Sequence, residues 1–182
     1  EVRLHGEAVG PGHAGLRRLR DLENPIVLSM LGYWNGKRGD RAMPSPDDID
    51  PVEFARHMPN LQFIQVDHDP LDFSYRIMGE AVTQALGGNR KGVRVRDLDA
   101  VRAGFGSMMF DLFSLVATRR RPFGVGGTLV SLDGKNTAFE SVHMPLSFDG
   151  ARGPHSQRVV LSFSARKPAS GLGDAAPDDG PA

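Results

Sequence analysis

The sequence predicts an antiparallel α+β fold of five strands, with helices between them and an N-terminal helical extension. Two observations carry this. Strand-like segments lie at both ends of the folded region, at 61–67 and 73–79 and then at 123–132, 136–148 and 158–165, with helical patterns between them; that arrangement closes as an antiparallel sheet. Turn signals sit where hairpins need them, Asp69-Pro70 between the first two strands and Asp133-Gly134 between the next two.

The chain has 182 residues, which suits one domain with tails. Residues 1–13 and 167–182 are expected to be disordered tails, since Gly, Pro, Ala and Asp there cannot bury enough apolar surface. A helical extension is expected over 14–58 and the core over 59–166. Cysteine is absent, which excludes disulfides, thiolate nucleophiles and cysteine metal sites. The 22 basic and 22 acidic residues balance, so nothing draws nucleic acid or an anionic membrane over the whole surface. No apolar run approaches the roughly 20 residues of a membrane span, and no signal peptide opens the chain. A cytoplasmic protein is expected.

Helical spacing begins at about residue 15 and runs to 37. Leu16, Leu19 and Leu22 recur every third position. Asn24-Pro25 reads as an N-cap followed by proline at the first helical position. Ile26, Val27, Met30, Leu31 and Trp34 then form an apolar stripe, in two short helices or one bent at Pro25. Trp34 is expected to be a buried anchor. Arg17, Arg18 and Arg20 read as a solvated helix face.

In MPSPDDIDPVEF, Asp50 precedes Pro51 and Glu53 follows three residues on, the spacing of a capping box. A short helix is predicted from Pro51 to about His57, stopped by Pro59. In the strand 73–79, Phe73, Tyr75 and Ile77 alternate with Ser74, Arg76 and Met78. Gly79 to Gly88 reads as a short helix ending at Gly87, and Gly92 to Leu98 as a turn or short helix. Asp99 can cap a long amphipathic helix carrying Val101, Phe105, Met108, Met109, Leu112, Phe113 and Val116. Arg119–Arg121 close it, where cations suit the negative helix end. In the last strand, Val159, Leu161 and Phe163 fall on one face.

Several words of this chain resemble a bacterial PAS family: Tyr33-Trp34, Asp50-Pro51, HMPNLQFIQVD, FSYRIMGEAV, and Met144-Pro145-Leu146 before Asp149-Gly150. The order of two strands, a helical middle and three strands is also the PAS order, and the resemblance covers about residues 25–166. It implies a strand order of 2-1-5-4-3, counted by sequence, with the middle helices enclosing a small cavity on one face. It implies a role in signalling and transfers no catalytic residue.

The cavity of such a fold would be lined here by Phe105, Met108, Met109, Leu112, Phe113 and His143, and a pliable methionine and aromatic face suits a small apolar ligand. Core packing explains the same stripe. His143 is the one histidine in a strand near that cavity; it reads as a packing residue or as a metal or haem ligand, and the packing reading is adopted. None of the six histidines forms a metal-spaced pair, so no metal or haem is expected. The missing cysteine excludes a flavin or hydroxycinnamyl photosensor. Glu140 is the lone carboxylate on an apolar strand; it is either a raised-pKa base or the partner of an arginine such as Arg76.

The expected function is a stand-alone sensory or interaction domain that binds a small apolar ligand or a protein partner and is not an enzyme. No catalytic output or DNA-binding segment follows it in this chain, so its signal is expected to pass to a partner or a second copy through the N-terminal helix, by way of Ile26, Met30, Tyr33 and Trp34. The competing reading is a small cone-shaped isomerase or hydrolase using Glu140 or His143 as base.

Overall fold

A computed structural model describes residues 14–130, 136–147 and 158–166. The expected tails, the turn at Asp133-Gly134, the loop before the last strand, the side chains of that strand, and His5, His13 and His155 lie outside the described residues.

Six strands form one antiparallel sheet. They are β1 (Ala14–Arg17), β2 (Leu61–His68), β3 (Leu71–Met78), β4 (Phe123–Val130), β5 (Asn136–Ser147) and β6 (Arg158–Arg166), in the order β1-β4-β5-β6-β2-β3. The five expected strands therefore take the expected order, with β1 added beside β4. β2 and β3 pair as the expected hairpin, with Arg76 an extra residue between the Ile64–Tyr75 and Phe63–Ile77 pairs.

β1 corrects the expected helix from residue 15. Residues 14–17 are extended, 19–21 make a 3-10 turn, and α1 runs only over Pro25–Arg38. Leu16 stays 44% exposed, so no buried face favours a helix there. The GVGG run of β4 offers a bare backbone edge instead. A Cβ on Gly124 would lie 3.1 Å from the Arg17 carbonyl oxygen, and one on Gly126 would lie 3.1 Å from Arg17 Cγ. Glycine lets the two strands meet.

α1 begins as expected: Asn24 Oδ1 accepts from Ile26 N at 3.0 Å and Val27 N at 3.4 Å, with Pro25 at the first position. Its inner stripe of Val27, Met30 and Trp34 packs on Val142, Met144 and Leu146 of β5 and Leu61 of β2. The segment after Pro51 is a kinked 3-10 stretch that runs on to Asn60, past Pro59. Asp50 caps it, accepting from Val52 N at 2.9 Å. Glu53 does not complete the box, because its carboxylate pairs with Lys37 at 2.7 Å. A capping box forms instead between Ser45 and Asp48.

α2 (Glu80–Ala85) ends before Gly87, whose φ of 68° needs glycine. A 3-10 stretch, Val95–Ala100, precedes α3 (Phe105–Arg119). α3 starts later than the apolar spacing implies: Gly104 sits at φ 77° and Val101 is exposed. Asp99 nevertheless serves the first turn from a distance, accepting from Ser107 N at 3.1 Å and Ser107 Oγ at 2.6 Å. A Cβ on Gly106 would come within 2.6 Å of the Val95 and Arg96 carbonyls, so only glycine lets α3 seat against that turn.

Alternation along β5 divides the core. Val142, Met144 and Leu146 meet α1 on one face, while His143 meets Phe113 of α3 on the other. Ile64, Val66, Phe73 and Tyr75 join Phe113, Val116 and Ala117 in that second cluster.

Candidate functional site

The site of interest is the α3 side of the sheet. Register places Phe123, His143, Ser162, Gln62 and Met78 in one row across β4, β5, β6, β2 and β3. Above it, Phe73 contacts Phe110 at 5.1 Å and Phe113 at 5.8 Å between ring centroids, and Phe113 reaches the His143 ring at 5.8 Å. Arg96 lies over the outer face of Phe110, 3.5 Å from its centroid.

Of the six cavity-lining candidates, Phe113 and His143 are buried here and touch. Phe105 and Met109 pack at the margin of the cluster. Met108 and Leu112 fall outside that cluster on α3, Met108 half-buried and Leu112 buried. Sequence reasoning left out Phe73, Tyr75 and Phe110 as lining, although the alternation of FSYRIMG already put the first two on one face.

Polar groups are embedded in this apolar wall. Ser141 Oγ and His143 Nε2 share a hydrogen bond of 2.9 Å, and both residues are buried. Burial alone pushes the imidazole down to about 3, so it is neutral at ordinary pH. The Tyr75 hydroxyl is buried and has no hydrogen-bond partner among the described residues. Its pKa is raised by desolvation, the nearby Arg90 charge opposing weakly, so it remains a protonated donor. Ser114 Oγ is likewise buried without a partner.

Glu140 belongs to the other side. Its Oε2 accepts from Glu23 N at 2.9 Å and Asn24 N at 2.7 Å, fixing the chain as it enters α1. The expected pairing with Arg76 does not form; Arg76 reaches Gln65 Oε1 at 3.5 Å on the surface. Glu140 pairs with Gly126, on the α1 face, and His143 projects to the α3 face, so the two candidate bases do not share a site.

An open groove of about 480 Å³ lies at the tip of the β2–β3 hairpin, lined by Asp67, His68, Asp69 and Asp72 with Arg94. Asp72 is ion-paired to Arg94 and also accepts from Phe73 N at 2.8 Å. Among the described residues, no group of three or more His, Asp or Glu side chains is placed to hold a metal.

Over residues 23–154 the chain matches the model of the PAS domain family. The chain belongs to the PAS domain family. The matched span runs from the Glu140-held entry of α1 through α3 and the whole of β5, so the embedded polar groups lie inside the PAS domain. No curated protein and no solved structure matches it. Membership brings a generally sensory or interaction role and a typically non-catalytic fold. Among the described residues, no helix of this PAS domain is long and apolar enough to cross a membrane.

Proposed function

We propose that this PAS domain is a sensor that takes a small, largely apolar ligand between α3 and the sheet and relays its presence to a protein partner or a second copy. The carrying observation is the buried, unpartnered Tyr75 hydroxyl in a wall of Phe73, Phe110 and Phe113. An unsatisfied buried hydroxyl costs about 1–3 kcal/mol, and a ligand acceptor would recover that cost. Neutral His143, buried against Phe113, suits an uncharged ligand.

α1 is the relay proposed here. Met30 and Trp34 face the sheet of their own chain, so a partner docking on α1 would meet Ile26 and Tyr33, both half-buried, beside the exposed Leu28. Tyr33 is also held from within: Asp50 N donates to its hydroxyl at 2.9 Å.

A second reading has an observation of its own. Phe73, Phe113 and Val116 are wholly buried, as in an adaptor whose interior is filled by its own side chains. Titration with a fluorescent apolar probe separates the two. Saturable binding with enhanced emission is expected, and displacement of the probe by material extracted from the host cell should follow. A probe that never saturates leaves the adaptor reading in place. Light scattering over a concentration series, with and without the probe, tests the relay.

A further inference from the structure

Two arginine runs far apart in sequence, 17–20 and 119–121, are brought to one edge of the molecule by the pairing of β1 with β4. The register sets Arg17 opposite Gly124, only three residues beyond Arg121, so the runs lie within about 10 Å along the strand. As Arg17 is in a strand and Arg18 is extended, the first run is not a helix face. Leu16 pairs with Val125, which pairs with Ser141, and that places Leu16 on the α3 side of the sheet. Arg18 continues the alternation on the same side. Arg121 lies over the Phe123 ring at 5.0 Å, in the row that holds His143 on that side. Arg119 ends α3 there, exposed.

Among the described residues, Asp21 is the acidic side chain ion-paired in this patch, to Arg18 at 2.6 Å and Arg20 at 3.9 Å. One carboxylate does not balance Arg18, Arg20, Arg119 and Arg121. Two positions before Arg18, at the end of the patch, stands Leu16, 44% exposed. A large apolar side chain beside exposed guanidinium groups fits a surface with anionic headgroups above and hydrocarbon below. Nucleic acid would favour exposed aromatic stacking surfaces; the patch's one ring, Phe123, is already covered by Arg121.

We infer that this edge docks the protein reversibly on an anionic membrane surface, Arg18, Arg20, Arg119 and Arg121 meeting the headgroups and Leu16 entering the interface. The inference is independent of any ligand beside α3. Each arginine at such a surface strengthens binding roughly five-fold, and salt weakens it.

The test is co-sedimentation of the full chain with phosphatidylcholine vesicles, with and without phosphatidylglycerol. Binding is expected only to the anionic vesicles and is expected to fall with added salt. The triple variant Arg18→Gln, Arg119→Gln, Arg121→Gln should bind about a hundred-fold more weakly, while the matching triple lysine variant keeps most of the binding. Leu16→Ser should weaken binding with the salt dependence unchanged. Equal sedimentation with neutral vesicles, or an undiminished glutamine variant with an unchanged thermal midpoint, overturns the inference. So does a duplex oligonucleotide that competes the protein off the vesicles, since the patch would then serve nucleic acid.

Discussion

Trp34 Nε1 donates a hydrogen bond of 2.9 Å to the carbonyl oxygen of Pro145. β4 pairs with β5 only as far as His143, so the flank of β5 beyond it lacks a neighbouring strand. Trp34 serves that flank at Pro145, and the Pro44 carbonyl serves it again by accepting from Ser147 N at 3.1 Å. Proline suits position 145 because its nitrogen has no hydrogen to satisfy there.

Trp34→Phe is expected to lose this bond while keeping most of the apolar contact, at about 1–3 kcal/mol; Trp34→Ala should cost about 3–5 kcal/mol. Denaturant midpoints check both. The only tryptophan should emit at short wavelength in the native state and shift red on unfolding. Native emission already as red as the unfolded chain would contradict its burial.

His143 sets an acid limit on stability. Its folded pKa is lowered to about 3 by burial, from an ordinary 6.5. The unfolded chain therefore binds the proton first, and stability present above pH 6.5 is lost as pH falls from 6.5 toward 3. The slope is about 1.4 kcal/mol per pH unit while only the unfolded form is protonated. His57 is lowered in the same direction, by desolvation first and then by Arg56, and leaves a smaller residual slope. Unfolding of His143→Leu should show about one fewer linked proton than wild type in this window. Parallel pH profiles for the two proteins would show that the imidazole is not so buried.

Tyr75→Phe removes a hydroxyl that has no hydrogen-bond partner among the described residues. The variant should be as stable as wild type or more stable, by up to about 1–3 kcal/mol. If a ligand uses this group, the same change weakens its binding. A clear drop in thermal midpoint of the ligand-free protein would reveal a bond that the structure does not contain.

Glu140→Ala strips two amide donors of a charged acceptor, and roughly 3 kcal/mol of destabilisation is expected. Hydrogen exchange at Glu23 and Asn24 should accelerate, since these are the donors. Exchange unchanged at those two amides would leave Glu140 available for another role.

Asp50 and Glu53, expected as one motif, should separate on mutation. Asp50→Ala loses the bond from Val52 N and should cost about 1 kcal/mol. Glu53→Ala breaks the exposed pair with Lys37 and the hydrogen bond with the Tyr33 side chain, and should cost much less than Asp50→Ala. Equal losses at the two positions, read from denaturant midpoints, would restore the capping box.

The five long strands, α1 with its Asn24-Pro25 start, and the burial of Trp34 were legible in the sequence, because periodicity and capping residues record local structure directly; the strand order followed from the resemblance to the PAS family. β1 was not legible. Its leucines repeat every third residue, and only the glycine-rich edge of β4, a hundred residues away, makes that stretch a strand. α3 was placed five residues early, with Asp99 rather than Gly104 as its N-cap, because Val101 continues the apolar spacing, while the left-handed turn at Gly104 that breaks it leaves no mark on periodicity. On the α3 face, the burial of Phe113 and His143 was legible from helix phase and strand placement. The role of Glu140 was not, since backbone amides of a distant segment have no sequence signature.

β5 grips α1 at two points. Glu140 holds the backbone leading into the helix, and the Pro145 carbonyl holds Trp34 near its far end. Between those points the same strand carries His143 into the opposite face. A helix anchored twice to one strand follows that strand as a pointer follows its spindle. A molecule pressing on His143 by a fraction of an ångström would shift both anchors together, and the outer surface of α1 would turn with them. The reading of an interior event on the exterior then needs no hinge and no long pathway, only the six residues of strand from Glu140 to Pro145.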